Sequence, residues 1–209
     1  MNTHTHPAAA RPRRRAAAGR AATRRRRLGL ALGAAALLVV AVLTLQGVFH
    51  HAVNEITLPL QHEDIIRQQA AEKDLDPALI AAVIYAESHF VPGRTSSAGA
   101  EGLMQITPAT AADIARRSGG TKFVTSDLAT PQVNISYGSY LLRELMSRYD
   151  GNEVAALAAY NAGPGNADRW GGAALRIADI PYAETRAYVK KVLSARERYR
   201  HSYARELGY

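Results

Sequence analysis

The chain has no cysteine among its 209 residues, and this absence excludes two kinds of framework. It rules out both a disulfide-stapled scaffold and a thiolate metal site. Histidine is sparse as well, with seven residues and no HExxH pattern. His50 and His51 are adjacent, and adjacent positions on a helix do not face one metal ion. We therefore expect no metal site.

Acidic residues are missing from the first quarter of the chain. Residues 1–54 hold nine arginines and none of the 18 Asp and Glu residues, so residues 55–209 carry 17 basic and 18 acidic side chains. The formal net charge of +8 therefore belongs to the N-terminal segment. A nucleic-acid-binding domain carries its basic patch on the folded part. This charge distribution disfavours nucleic acid as a partner.

Charge of either sign is absent from residues 28–49, a run of 22 residues rich in Leu, Ala and Val. A helix of this length, at 1.5 Å per residue, measures about 33 Å and can span a bilayer. All nine arginines precede it, in residues 1–27, which we expect to be a disordered cytoplasmic tail. The pattern predicts one transmembrane anchor with the rest of the chain outside the membrane. A cleaved signal peptide and a twin-arginine export signal are the alternatives.

The remaining sequence divides into a short linker, residues 50–62, and a helical domain, residues 63–209. No stretch alternates in the manner of a strand, and no internal repeat is visible. A domain of roughly 150 residues buries about two-thirds of its unfolded surface and needs no covalent staples. We expect an all-α domain, with helices that begin near Glu63, Asp76, Thr107, Thr130, Asn152 and Tyr182.

Residues 80–108, IAAVIYAESHFVPGRTSSAGAEGLMQITP, place one carboxyl group between a helix and a Gly-rich loop. Asp76 as N-cap and Pro77 at the first position begin the helix, and the spacing of its apolar residues leads to Glu87. A carboxylic acid in apolar surroundings has a raised pKa and can act as a general acid. The loop glycines allow close approach of the backbone to a ligand. Glu87 is thus the candidate catalytic residue, with an ordinary solvent-facing Glu as the alternative.

Residues 87–92 (ESHFVP), Ser96 and residues 99–108 (GAEGLMQITP) resemble the signature of soluble lytic transglycosylases. These are bacterial enzymes with a lysozyme-like fold that cleave peptidoglycan. The resemblance implies that Glu87 is the acid, that Ser96 bonds near it, and that Met104 and Gln105 line the glycan-binding cleft. One departure is Thr107, which stands where several relatives carry Met. Glu101 occupies a variable position and is expected to be solvated.

Residues 158–165, AAYNAGPG, predict a helix that ends in a phenol and an amide before a rigid turn. Tyr160 and Asn161 can hydrogen-bond sugar hydroxyls or an N-acetyl group, although a core tyrosine is the commoner case. The segment is similar to the second signature of the same family, which implies that both residues face the scissile bond.

Residues 180–189, IPYAETRAYV, resemble the last signature of the family. Helical spacing places Glu184 on one face with four further residues, Tyr188, Val192, Ala195 and Tyr199. A carboxylate on a packed face needs a partner, so a structural ion pair is one interpretation. The resemblance implies instead that Glu184 lines the cleft and binds substrate without being catalytic. Trp170, the only tryptophan, is predicted to belong to the core rather than to a sugar-stacking platform.

The resemblance therefore implies a lysozyme-like, membrane-anchored lytic transglycosylase that faces the cell wall. Such an enzyme cleaves the β-1,4 bond between MurNAc and GlcNAc and leaves 1,6-anhydro-MurNAc ends, with Glu87 as acid and then base and with no cofactor. A lysozyme-type hydrolase of the same fold is one alternative. A catalytically silent wall-binding module is the other.

Overall fold

The computed structural model describes residues 40–42, 57–119 and 123–209. The chain divides into two compact units, residues 1–53 and 54–209. In the first unit only residues 40–42 are described, and they are helical. The predicted tail, and the predicted anchor apart from these three residues, lie outside the described residues. Within the described part of the chain, no helix combines the length and apolar character needed to cross a membrane.

Residues 57–209 are helical wherever the structure describes regular secondary structure. The α-helices are α1 (Glu63–Lys73), α2 (Pro77–Ser88), α3 (Pro108–Ser118), α4 (Pro131–Arg148), α5 (Glu153–Ala162), α6 (Pro164–Trp170), α7 (Ala183–Ser202) and α8 (Ala204–Leu207). Three short 3₁₀ segments follow α3 and α6: Thr125–Ala129, Gly172–Ala174 and Ile177–Asp179. In the described ranges, β pairing is limited to isolated bridges of Glu101 with Thr95 and Ile106. The prediction of an all-α domain is confirmed for this part of the chain.

The starts of three helices follow from side chains that accept hydrogen bonds from the first backbone amides. Asp76 accepts from the Ala78 amide at 2.9 Å, and Thr107 accepts from the Thr110 amide at 3.1 Å. Asn152 caps α5 in the same way. These caps confirm the predicted starts. The helix α6 was not predicted: Gly163 ends α5 as expected, but Pro164 at once begins another helix, because its fixed φ suits the first helical position.

Helix α2 lies in the centre of the domain and is buried on every side. Every residue from position 78 to position 84 is at most 1% exposed, alanines included. Helix α7 packs against both α2 and α5, and α1 also packs against α2. The C-terminal ends of α2 and α5 therefore meet the first turns of α7, and this junction positions the site described below.

The end of the predicted linker belongs to the folded domain. Leu58 is fully buried, and three tyrosine hydroxyls donate to successive carbonyl groups of this segment. Tyr85 donates to Thr57 O at 3.2 Å, Tyr203 to Leu58 O at 3.0 Å and Tyr199 to Pro59 O at 2.6 Å. Sequence spacing could not show this, because the three tyrosines lie on α2, on α7 and beyond it. Residues 57–59, the described part of the predicted linker that makes these contacts, therefore pack against the helices.

Candidate active site

Glu87 is the next-to-last residue of α2, and the chain turns sharply after it. His89 and Phe90 both adopt positive φ, 54° and 62°, which side chains other than glycine rarely do. Phe90 is nonetheless buried, so its packing holds this conformation in place. Strained backbone of this kind clusters at functional sites. The turn stops the helix and directs the following residues into the loop of residues 91–106.

Burial raises the pKa of the Glu87 carboxyl above its ordinary value of 4.5. A hydrogen bond from the Tyr188 hydroxyl to Oε1, 2.7 Å long, and the positive charges of Lys191 and Arg94 act in the opposite direction. Desolvation is the largest of these effects, so the neutral acid persists to higher pH than in water. The two charged side chains that perturb Glu87 are both cations, so its raised pKa is not due to a second carboxylate.

Lys191 reaches the same carboxyl group from the third turn of α7. Its Nζ donates to Ala86 O at 3.1 Å and lies 5.2 Å from the centre of the Tyr85 ring. Burial lowers the pKa of Lys191, while the nearby Glu87 carboxylate opposes this shift. A cation in this position stabilises negative charge on Glu87 once the proton has left.

Tyr160, at the end of α5, faces the same carboxyl group. Its hydroxyl donates to Met104 O at 2.9 Å. Burial, and then the negative charge of Glu87, hold the pKa of Tyr160 well above its ordinary value of 10.0, and the pKa of Tyr188 is raised for the same first two reasons. Both phenols therefore stay protonated and act as hydrogen-bond donors.

The neighbouring Asn161 is exposed but held in one orientation. The buried Thr185 hydroxyl donates to its Oδ1 at 2.8 Å. With the carbonyl oxygen occupied in this way, the Nδ2 group is the part of the amide that can donate to a ligand. The contact joins the end of α5 to the first turn of α7.

The loop of residues 91–106 is fixed mainly by Asn134 of α4, which is 1% exposed. Its Oδ1 accepts from the Met104 amide at 2.7 Å, and its Nδ2 donates to Glu101 O at 2.8 Å and to Leu128 O at 3.0 Å. Gly102 packs directly against this amide: a Cβ there would lie 2.1 Å from Asn134 Nδ2. The glycine is required by this close approach as well as by its φ of 78°.

Two predicted binding residues hold the loop from within. The Ser96 hydroxyl accepts from the Ala100 amide at 3.0 Å. Gln105 Nε2 donates to Arg94 O and to Gly102 O, each at 2.9 Å, which leaves its Oε1 as the acceptor that a ligand could meet. Gln105 itself has a φ of 50°. The loop is thus preorganised by its own side chains.

The two remaining predicted site residues differ in burial: the Met104 side chain is buried and Glu184 is exposed. Met104 is fully buried against Gly138, so its side chain does not face a ligand; it contributes the carbonyl oxygen that Tyr160 holds. Glu184 is exposed in the first turn of α7 rather than on the packed face. The same helix instead directs Thr185 and Tyr188 to the site.

Sequence reasoning overlooked four side chains that build the site: Arg94, Asn134, Thr185 and Lys191. Tyr188 was placed correctly on the packed face of its helix but was given no role. Its spacing from Glu184 was the available signal. The exposure of Glu184 is compatible with a place in the cleft, so its role in substrate binding stays a prediction. Within the described residues, no cluster of three or more His, Cys, Asp or Glu side chains could hold a metal ion.

Fold and site together define an all-helical domain built around one desolvated carboxyl group at the junction of three helices. The chain belongs to the transglycosylase SLT domain family, which matches residues 64–180. That match ends before α7, the helix that supplies Thr185, Tyr188 and Lys191.

Proteins similar in sequence to this chain support its place in this family. The soluble lytic murein transglycosylase of Salmonella typhimurium is 36% identical over 155 residues, which cover 70% of this chain and 24% of that protein. The membrane-bound lytic murein transglycosylase C of Actinobacillus pleuropneumoniae is 32% identical over 168 residues, covering 68% of this chain and 46% of that protein. The chain therefore matches about a quarter to a half of the length of these relatives.

Solved structures show the same fold. An inactive glutamate-to-glutamine mutant of the lytic transglycosylase Slt from Pseudomonas aeruginosa superposes with a TM-score of 0.68 and 35% identity, covering 72% of this chain and 26% of that one. The 70 kDa soluble lytic transglycosylase of Escherichia coli gives a TM-score of 0.66 at 32% identity, covering 70% of this chain and 25% of that one; it is also similar in its complex with bulgecin A.

Proposed function

We propose that this protein is a peptidoglycan lytic transglycosylase in which Glu87 is the single acid and base. The observation that carries the proposal is the state of its carboxyl group. Burial raises its pKa, a phenol hydrogen-bonds to one oxygen, and cations rather than a second carboxylate surround it. Ordinary glycosidases use a pair of carboxylates, so a single-acid site needs another nucleophile.

The substrate itself supplies that nucleophile. Neutral Glu87 donates its proton to the glycosidic oxygen between MurNAc and GlcNAc, the C1–O bond breaks, and the N-acetyl group of the muramic acid assists at the anomeric carbon. The Glu87 carboxylate then takes the proton of the C6 hydroxyl while that oxygen bonds to C1. A tethered hydroxyl outcompetes water because its effective molarity is high. No water is consumed, and the product is a 1,6-anhydro sugar.

The residues around Glu87 suit both halves of this cycle. Lys191 and Arg94 stabilise the carboxylate formed after the first proton transfer, whereas desolvation favours the neutral acid that begins it. Tyr188 orients the carboxyl group, and Asn161 presents its amide N–H to the N-acetyl oxygen of the substrate. Tyr160 fixes the loop and contributes a protonated phenol beside the acid. Gln105 and Ser96 position the loop that covers the glycan.

The names of the relatives support the substrate and the reaction class. Soluble and membrane-bound relatives are both called lytic murein transglycosylases, and a transglycosylase of the phage PRD1 is 37% identical over 134 residues. Replacement of one glutamate by glutamine accompanies inactivity in the Pseudomonas aeruginosa structure, which suits a mechanism with a single essential acid.

The proposal includes anchoring of the catalytic domain to the outer face of the cell membrane by residues 28–49. The uncharged run of 22 residues and the nine arginines on its N-terminal side support this topology. A membrane-bound relative has the same class of activity in its name. Extraction of the full chain from membranes tests the anchor: it should resist high salt and alkaline carbonate and require detergent, and release by salt alone would contradict it.

Mass analysis of reaction products tests the activity. The full chain in detergent is incubated with purified peptidoglycan, beside the Glu87→Gln variant. We expect glycan ends one water lighter than hydrolysed ends, absent with the variant. Fully hydrated ends would replace the proposal with a lysozyme-type hydrolase. Binding of peptidoglycan without any product would replace it with a wall-binding module.

A further inference from the structure

The start of α7 carries three successive contacts that lead away from Glu87. Tyr188 donates to Glu87 at 2.7 Å, and Thr185 donates to Asn161 at 2.8 Å. Three residues earlier, the ring of Tyr182 lies edge-on to the ring of Trp170, with centroids 4.9 Å apart and planes at 74°. Tyr182, Thr185 and Tyr188 are spaced three residues apart along one ridge at the start of α7. The groups that they contact, an aromatic ring, an amide and the acid, follow in the same order.

The spacing of these contacts matches a short length of glycan. Steps of three residues advance about 4.5 Å each at the α-helical rise, so Tyr182 lies about 9 Å along the axis from Tyr188. That distance corresponds to one or two sugar rings. A strand with its scissile bond at Glu87 and an N-acetyl group at Asn161 would bring a neighbouring ring to the aromatic pair.

Tyr182 is the exposed member of the aromatic pair, Trp170 is half-buried, and the segment that carries Tyr182 is held in place. Tyr182 is 53% exposed, one of the few large apolar side chains in the described residues to be so. The segment before it is fixed, because the Arg186 guanidinium donates to Ile180 O and to Pro181 O, the latter at 3.1 Å, and Ile180 is fully buried. Trp170 packs partly on the core, as predicted. Its other contact is with the exposed ring of Tyr182, so the pair links the core to the surface. A preorganised aromatic surface binds with little entropic cost.

We propose that Trp170 and Tyr182 form a sugar-binding subsite that stacks on a pyranose ring next to the cleavage point. The axial C–H groups of β-linked pyranoses form an apolar face that packs on an aromatic ring, while their equatorial hydroxyls remain solvated. The pair itself bears no charge, which suits a neutral sugar ring rather than a carboxylate of the stem peptide. The inference rests on the proposed function, since it assumes that Glu87 meets a glycan.

Kinetics on glycan strands of graded length test the subsite. We expect Tyr182→Ala to raise KM about three- to tenfold on long strands, with kcat changed less than twofold, and to have no effect on the shortest strand that is still cleaved. Tyr182→Phe should restore the wild-type KM, because the ring rather than the hydroxyl is used. Val124→Ala is the matched control, since Val124 is 56% exposed and lies at the start of the 3₁₀ segment Thr125–Ala129. An unchanged KM in Tyr182→Ala would overturn the subsite.

Fluorescence gives a second readout that needs no catalysis, because Trp170 is the only tryptophan in the chain. Full-length Glu87→Gln protein is titrated with glycan strands freed of stem peptides. We expect a saturable change in tryptophan emission, with at least threefold weaker binding when Tyr182→Ala is added and unchanged binding with Val124→Ala. Sedimentation of the same protein with peptidoglycan is measured in parallel. Protein that sediments but shows no change in emission would overturn the subsite and leave the proposed function standing. Protein that does not sediment would contradict both.

Discussion

The two ends of helix α2 each carry a carboxyl group, and the two groups differ in their hydrogen-bond partners. Asp76 at the N-terminus accepts from the Ala78 amide and the Tyr209 hydroxyl and pairs with Arg200 at 2.6 Å. Glu87, eleven residues further on, receives one hydrogen bond, from Tyr188. Asp76 therefore accepts several hydrogen bonds from the protein, whereas Glu87 is desolvated and can still accept further hydrogen bonds.

The position on the helix adds to this difference. The helix dipole stabilises a negative charge at the N-terminus and destabilises one at the C-terminus. Asp76 lies at the end where it can cap the helix, whereas at Glu87 the dipole acts in the same direction as burial and favours the neutral acid. Burial and the number of partners, rather than residue type, distinguish a structural carboxylate from one that can transfer a proton.

Replacement of Glu87 by Gln should produce the largest effect. Loss of a general acid typically costs about 10²- to 10⁴-fold in rate, and we expect kcat on peptidoglycan to fall by that amount. Turnover above a tenth of the wild-type rate would contradict the assignment. Thermal unfolding supplies the control: because the folded pKa of Glu87 is raised, the wild type loses stability as pH rises from 4.5 through that pKa. The Gln variant should thus be at least as stable as the wild type at pH 7.

Tyr188→Phe should have the next largest effect, and it should change the pH profile. The hydroxyl lowers the pKa of Glu87, so its removal raises that pKa and moves the alkaline limb of kcat/KM to higher pH. We expect kcat to fall about tenfold as well, since the carboxyl group loses the one hydrogen-bond donor that the described residues give it. Tyr199→Phe, which removes the hydroxyl that donates to Pro59 O, is the matched control and should leave the limb in place. A limb that moves to lower pH, or equally in both variants, would show that Tyr188 does not tune the acid.

Tyr160→Phe should weaken activity less, by a few-fold. The phenol holds Met104 O and so positions the loop, but Asn134 also fixes the Met104 backbone. One lost hydrogen bond is worth about 1 kcal/mol, or roughly fivefold if it is all used in the transition state. Steady-state kinetics on peptidoglycan measures the effect. An unchanged rate would remove Tyr160 from the site, and a loss as large as that of Glu87→Gln would give it a direct catalytic role.

Asp76→Ala should have the smallest effect on activity and act on stability instead. Loss of an N-cap costs about 1 kcal/mol, and the half-exposed Arg200 adds little to this because its charge is screened by solvent. We expect a lower Tm with kcat within twofold of the wild type. A large fall in kcat at unchanged Tm would erase the contrast between the two ends of α2.

Local signals in the sequence predicted much of the fold and pointed to Glu87 as the candidate acid. The caps Asp76, Thr107 and Asn152 act over two or three residues, so their roles can be read from neighbouring positions. Glu87 followed from helical spacing and from the resemblance. Lys191 and Asn134 act on the site across more than 30 residues of sequence, or more than 100 in the case of Lys191, and no local pattern reveals such contacts.

Helical periodicity also has limits that the site makes visible. It indicated which face of α7 is packed but not where burial begins, so Glu184 was placed on the packed face although it is exposed, and the contact of Tyr188 with Glu87 was not foreseen. Met104 lies next to Gln105 in a loop motif, yet one side chain enters the core while the other holds the loop. Only tertiary packing decides between two such neighbours.

Titration of the Glu87 carboxyl group tests the central claim most directly. Carboxyl ¹³C NMR of the full-length protein in detergent, with the Glu87→Gln spectrum to assign the resonance, gives its pKa without reference to any substrate. We expect the Glu87 resonance to titrate above 4.5, and to titrate at still higher pH in Tyr188→Phe. A pKa at or below 4.5 would mean that the group is an ordinary anion near neutral pH, and it would contradict the account of Glu87 as a desolvated acid.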